Sequence, residues 1–207
     1  MSVAMEDMES AATEAFARRE GAGKALAADA DKVALACRDM AACFHRGGKL
    51  ITFGNGQAGT DAAHIAVEFM HPVIIGKRAL PAMAISNDPA SITEVAAREG
   101  YDEVFAHQVA QWAAPDDVAL GISPDGQCAD VLRGLEVADE LGLLTVALTG
   151  GYGEAVPESP AVAHVLTARS GDPSVVKEIH VTTYHLLWEL VHVFLEQPGL
   201  LGPEVIR

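Results

Sequence analysis

Two hydrophobic rhythms divide the chain. From residue 3 to residue 46 apolar side chains recur at helical spacing and no proline interrupts them, which predicts one long helix or two. Gly21 and Gly23 predict the break between them. Gly47 and Gly48 predict the end, since glycine commonly closes a helix at its C-terminal cap. Beyond them come short apolar runs at 50–53, 82–85, 118–122, 143–148 and 162–166. Each has the length of a strand rather than a helix. Helical stretches lie between most of them, at 61–70, 102–112 and 127–141. A last helix is predicted over 173–196, with Pro173 in the favoured first turn. Strand, helix, strand at this spacing predicts an α/β fold, a doubly wound five-stranded parallel sheet covered on both faces. Residues 1–48 form an N-terminal helical arm in this reading, and residues 49–207 form the sheet domain.

In such sheets ligands bind outside the carboxyl ends of the strands. The segments that follow the apolar runs are polar or glycine-rich: Gly54-Asn55-Gly56-Gln57-Ala58-Gly59-Thr60, Ser86-Asn87-Asp88, Ser123-Pro124-Asp125-Gly126-Gln127 and Thr149-Gly150-Gly151. One such loop is what any turn would use; four in succession point to a polar small-molecule site. The first loop runs into a helix whose N–H groups suit an anion or a polar ligand. It is neither G-x-G-x-x-G nor a Walker loop and carries no lysine, which argues against dinucleotides and nucleoside triphosphates.

His64 and Glu68 stand at i and i+4 and share a helix face, where they can meet a metal or a substrate. Lys177, Glu178, His180 and His185 crowd one stretch of the last helix, with Lys177 and His180 neighbours at i, i+3. A solvated helix face with incidental histidines is the competing reading of these residues.

Half of the residues are hydrophobic, which excludes disorder for the bulk of the 207-residue chain. The formal net charge of −15 repels phosphate backbones and anionic membranes, so neither nucleic acid nor membrane is an expected partner. No apolar run approaches the roughly 20 residues that span a bilayer. The charged N-terminus has no signal-peptide segment, and cytoplasmic localisation is expected. Cys37, Cys43 and Cys128 match no metal spacing, and an odd, sparse count suits a reducing compartment.

Several of these segments together resemble one family. The pattern G-N-G-x-x-x-x-D-A-x-H-x-x-x-E at 54–68, Gly-Tyr-Asp-Glu-Val-Phe-Ala-His-Gln-Val at 100–109, and the strand and loop at 117–123 are similar to the phosphoheptose isomerases, members of the sugar isomerase (SIS) domain superfamily. So are the strand ending in Thr149-Gly150-Gly151 and the K-E-I-H-x-x-x-x-H helix at 177–185. The resemblance covers nearly the whole chain. It implies a flavodoxin-like SIS domain, a helical arm used in oligomerisation, and a homotetramer with active sites between subunits. It also implies aldose–ketose isomerisation of a sugar phosphate, of the sedoheptulose 7-phosphate type or a related polyhydroxylated carbonyl compound, through an enediol. By position, Glu68 is the catalytic carboxylate and His185 the catalytic histidine, and His64, Glu68, residue 177 and His185 are the zinc ligands. A carboxylate can take the proton alpha to a carbonyl while an acid protonates the developing oxyanion. Substrate contacts are expected from Asn55 and Gly56 in the first loop, Asn87 and Asp88 in the second, and Ser123, Asp125 and Gln127 in the third. Arg98, Lys177 and His180 complete them.

Departures from the family pattern fall within the site. Lys177 stands where the family has glutamine, and a protonated lysine has no lone pair for a metal. Its ammonium is expected close to Glu68, in the cation's place, which predicts no cofactor or only weakly held zinc. The family's Ser-Thr-Ser-Gly-Asn-Ser phosphate loop reads Ser123-Pro124-Asp125-Gly126-Gln127-Cys128 here, and Ala58 replaces a serine of the first loop. Two like unit charges at 4 Å repel by about 4 kcal/mol at an effective dielectric of 20, so ionised Asp125 opposes a phosphate. Arg98 stands where an aspartate is expected and suits a carboxylate or a displaced phosphate. The alternative reading is a non-catalytic SIS module that binds a sugar ligand or a partner protein.

Overall fold

A computed structural model describes residues 3–72 and 74–201. Residues 1–2 and 202–207, the outer ends of the two predicted regions, lie outside them. The elements run α1 (Val3–Ala28), α2 (Ala30–His45), β1 (Leu50–Gly54), α3 (Gln57–Met70), β2 (Ala82–Ala84), α4 (Pro89–Arg98), α5 (Val104–Trp112), β3 (Val118–Ser123), α6 (Ala129–Glu140), β4 (Leu144–Gly150), β5 (His164–Ala168) and α7 (Pro173–Glu196). The five strands form one parallel sheet in the order β2-β1-β3-β4-β5. This is the predicted doubly wound α/β architecture.

Side chains alternate across the sheet as the period of two demands. Leu50, Leu120, Ile122, Val146 and Leu148 join α2, α3 and α7 in one core. Ile51, Phe53, Ala119 and Ala147 join α4, α5 and α6 in the other. Burial on both faces explains why β1, β3 and β4 read as unbroken apolar runs rather than alternating ones. The chain passes from β2 over β1 to β3 and changes face as it does so. That reversal opens a crevice between the carboxyl ends of β1 and β3, the place where ligands enter such sheets.

Three sequence expectations change. The helical arm breaks at Asp29, and Gly21 and Gly23 lie inside α1. An interior glycine costs a helix only about 1 kcal/mol. Asp29 still donates its N–H to the Leu26 and Ala25 carbonyls, while its carboxylate pairs with Arg169 at 2.7 Å and Lys32 at 3.1 Å. Helix α4 was not anticipated. Asp88 caps it, accepting from the N–H groups of Ala90 (3.0 Å) and Ser91 (3.3 Å), with Pro89 in the first turn. That Asp-Pro start is a recognisable helix signal. Strand β5 begins two residues later than its apolar run, because the Ala163 N–H is taken by Thr145 Oγ1 at 2.9 Å.

The two halves of the arm differ. Helix α2 contributes Val33, Ala36, Cys37, Met40 and Phe44 to the core, whereas residues 7–14 of α1 are exposed. Among the described residues no helix is long and apolar enough to cross a membrane.

Gly48 links α2 to β1 where a Cβ would lie 1.9 Å from the Asp116 carbonyl oxygen, while Gly21 has nothing within 4 Å of such an atom. Gly48→Ala is expected to destabilise by about 1–3 kcal/mol. Gly21→Ala, a helix-interior change in open space, is expected to be neutral or to stabilise by up to about 1 kcal/mol. Chemical denaturation of the two variants checks both signs.

Candidate active site

The seam between α3 and α7 carries the densest polar chemistry. Residues at steps of three and four on a helix share a face, so Asp61, His64 and Glu68 of α3 meet Lys177, Tyr184, His185 and Trp188 of α7. Glu68 Oε1 lies 3.1 Å from His64 Nε2 and 3.2 Å from His185 Nε2. One ligand-type atom from each of the three lies within 4.8 Å of the others. The Glu68 side chain is 14 % exposed and both imidazoles are 47 % exposed, so the trio opens to solvent on its histidine side. Trp188 anchors the α3 backbone here, its indole N–H donating to the Glu68 carbonyl at 3.0 Å.

Lys177 does not stand beside Glu68 as the sequence predicted. Its ammonium pairs with Asp61 and reaches the Gln57 carbonyl at 3.3 Å, so it ties α7 to the glycine turn after β1. The reason is burial: the Asp61 side chain is only 5 % exposed, and a buried carboxylate demands a charged partner. No Lys177–Glu68 ion pair occurs among the described residues. The trio is therefore left clear of the ammonium.

Asn55 and Gly56 sit on the β1 turn, at the crevice. The Asn55 amide donates to Asp130 in the first turn of α6, and its carbonyl accepts from the Tyr101 hydroxyl at 2.9 Å. Burial pushes the Asp130 carboxyl up, and the Asn55 bond pulls it back. Gly56 has φ of +53°, a conformation glycine adopts without strain. Asn55, Gly56, Ser86, Asn87 and Tyr101 line a cavity of about 370 Å³. Asp88 lies beyond it, its carboxylate taken by the start of α4 and by Ser91 Oγ, and these bonds hold its pKa below the usual carboxylate range.

The third loop is closed on itself. Asp125 Oδ1 accepts the Gln127 N–H at 2.9 Å, and Ser123 Oγ accepts the Cys128 N–H at 3.1 Å. The donors that such a turn offers to an anion thus already face a resident carboxylate and a hydroxyl. Asp125, Cys128, Gly151, Ser170 and Val176 border a second cavity of about 320 Å³.

Two candidates stand apart. His180 is buried, and its Nε2 lies 2.8 Å from the Thr149 carbonyl, to which it donates; burial pushes its pKa down and keeps it neutral. Arg98, at the end of α4, is exposed and paired with Glu94 at 2.6 Å. Among the described residues neither forms a hydrogen bond or ion pair with the trio. Sequence reasoning missed Asp61, Tyr184, Asp130 and Tyr101. Asp61 was visible three residues before His64, and Tyr184 seven residues after Lys177, both on the faces already singled out.

This fold and this seam define a class, the SIS domain, and residues 8–150 match that family. Curated relatives narrow it. The chain is 38 % identical to the phosphoheptose isomerase of Solidesulfovibrio magneticus, over 84 % of each chain. It is 36 % identical to that of Chlorobaculum tepidum, over 79 % of this chain and 78 % of the relative. The solved phosphoheptose isomerase of Francisella tularensis superposes with a TM-score of 0.81 at 27 % identity, covering 93 % of this chain and all of the other. The chain belongs to the phosphoheptose isomerase family.

Asp125→Ser removes the resident carboxylate from the third loop. It is expected to raise affinity for inorganic phosphate by about tenfold or more, the size of one lost charge repulsion. Phosphate titration by calorimetry or 31P NMR measures it.

Proposed function

We propose that this protein is an aldose–ketose isomerase acting on a sugar phosphate or a related polyhydroxylated carbonyl compound through an enediol. The observation that carries this reading is the convergence of Glu68 with His185 at 3.2 Å, open to solvent on the histidine side, in a chain of the phosphoheptose isomerase family. Isomerisation needs a base to take the proton alpha to the carbonyl and an acid to protonate the oxygen that becomes negative. Glu68 takes the first role. Its carboxylate is an acceptor on a short, partly buried side chain, held by a backbone that Trp188 fixes. His185 takes the second, delivering a proton to the oxyanion and then taking one from the neighbouring hydroxyl as the enediol collapses to the product carbonyl. Glu68 gives the carbon-bound proton back to the neighbouring carbon, the former carbonyl carbon, and both residues end in their starting states.

Two imidazoles and one carboxylate are the donor set of a catalytic zinc site with one open position. His64, Glu68 and His185 would hold the ion, and a bound ion would supply Lewis-acid stabilisation of the substrate oxygen. With the ammonium drawn away to Asp61, this trio supports zinc better than the sequence alone did. Lys177 then acts by neutralising Asp61 beneath the site rather than by touching the carbonyl.

Asn55, Asn87 and Tyr101 border the neighbouring cavity, and their amide and hydroxyl groups suit sugar hydroxyls. The exposed Met5, Met8 and Phe16 on α1 support packing against other copies of this chain, in a homotetramer. Arg98, whose ion pair among the described residues is the local one with Glu94, is suited to act at a neighbouring copy's site. Cytoplasmic localisation completes the reading.

Incubation with sedoheptulose 7-phosphate, followed by NMR for the aldose product, tests the proposal. Turnover is expected in the wild type, and Glu68→Gln is expected to lower kcat by about 10²–10⁴-fold. Turnover that survives Glu68→Gln unchanged refutes the assignment of the base.

A further inference from the structure

Asp130 is a buried carboxylate that the proton transfers above do not use. It is 4 % exposed, and among the described residues its side-chain partner is the Asn55 amide rather than a cation. It stands in the first turn of α6, where helix N–H groups without partners favour a negative charge. An ionised carboxylate only accepts hydrogen bonds. The Asn55 amide must therefore turn its nitrogen, not its oxygen, toward Asp130.

The other end of the same amide is held from a different element. Tyr101, on the turn between α4 and α5, donates its hydroxyl to Asn55 Oδ1 at 2.9 Å. Burial first, then the charges of Asp130 and Cys128, push the tyrosine pKa up, so the phenol keeps the proton that it donates. The two contacts demand the same orientation. Turning the amide over would set its oxygen against the carboxylate and an N–H against the hydroxyl hydrogen. A primary amide has two N–H donors and two oxygen lone pairs. One of each is engaged here, and one of each is left for a ligand. Asn55 and Tyr101 line the cavity of about 370 Å³, together with Gly56, Ser86 and Asn87.

We propose that Tyr101 and Asp130 are positioning residues for Asn55, clamping its amide from both ends so that the free N–H and lone pair are preset for the hydroxyl groups of a polyhydroxylated substrate. An unclamped asparagine would have to be ordered when the ligand arrives, at a cost to affinity. Three separate elements meet in the clamp: the β1 turn, the turn before α5 and the start of α6. The clamp acts on binding and leaves the proton transfers to the α3–α7 seam. A binding contact used equally in the ground state and the transition state shows in KM and not in kcat.

The kinetic effect rests on the proposed isomerase reading; the orientation of the amide does not. Tyr101→Phe deletes the hydroxyl and keeps a ring that is already 54 % exposed, so the fold is retained. With sedoheptulose 7-phosphate, Tyr101→Phe and Asp130→Asn are each expected to raise KM about 3–10-fold, with kcat within about twofold of the wild type. In an Asn55→Ala background Tyr101→Phe is expected to add nothing, because its effect passes through that amide. An unchanged KM in both variants, or a further loss from Tyr101→Phe in that background, overturns the proposal. Side-chain amide NMR of the ligand-free protein reads the clamp directly, with Asn55→Ala identifying the signals. One Asn55 amide proton is expected well downfield of the other in the wild type, as a bond to a carboxylate requires, and the separation is expected to shrink in Asp130→Asn. Free-amide positions in the wild type overturn the clamp. A wild type without turnover would defeat the isomerase reading, while the amide signals still decide what Asp130 does.

Discussion

The contact between α3 and α7 governs everything proposed about chemistry here. Four polar links cross it in register: Lys177 to Asp61, Tyr184 to His64, His185 to Glu68, and Trp188 to the Glu68 carbonyl. The partners fall at helical steps on both elements, so the links form one stripe and each constrains the next. Apolar packing of Ala62, Ile65 and Phe69 against the same core as Val176, Leu187 and Val191 holds the helices together beneath the stripe. A site on two packed helices is held more rigidly than one on loops, which suits a reaction that moves protons over a few ångströms.

Charge is arranged in layers along this seam. A buried carboxylate and an ammonium neutralise each other at the level of Asp61 and Lys177. About two turns further on, a carboxylate faces two imidazoles with no lysine or arginine paired to it among the described residues. The first pair resembles other buried ion pairs, whose desolvation cost cancels much of their attraction, so its value lies in placing charge rather than in stability. Because Lys177 is committed there, replacing the family's glutamine by lysine leaves His64, Glu68 and His185 together. The third loop underwent a comparable internal closure, with Asp125 now facing the backbone donor of Gln127. Two departures that looked alike in the sequence, one cationic and one anionic, are therefore both satisfied within the chain.

The architecture was legible because it depends on local rules. Short apolar runs separated by helical stretches specify a parallel sheet, and it is their length, not a period of two, that marks strands buried on both faces. What escaped was short or conditional. Helix α4 follows from the Asp88-Pro89 start and was hidden by reading that segment only as a ligand loop. The break in the arm was assigned to glycines, although a helix tolerates them, and it falls instead at Asp29, whose carboxylate pairs with Arg169 140 positions away.

For the site, the sequence alone determined which chemical groups were present and which helix faces carried them: His64 with Glu68 on one, Lys177 with His185 on the other. Helical periodicity is a property of the backbone, and a list of residues is enough to apply it. Only the tertiary structure decided which group met which. Whether an ammonium pairs with Glu68 or Asp61 depends on which carboxylate is deprived of water, and burial is a property of the packed molecule. The same holds for Tyr184, whose hydroxyl comes within 3.3 Å of His64 Nδ1 because two helices close around it.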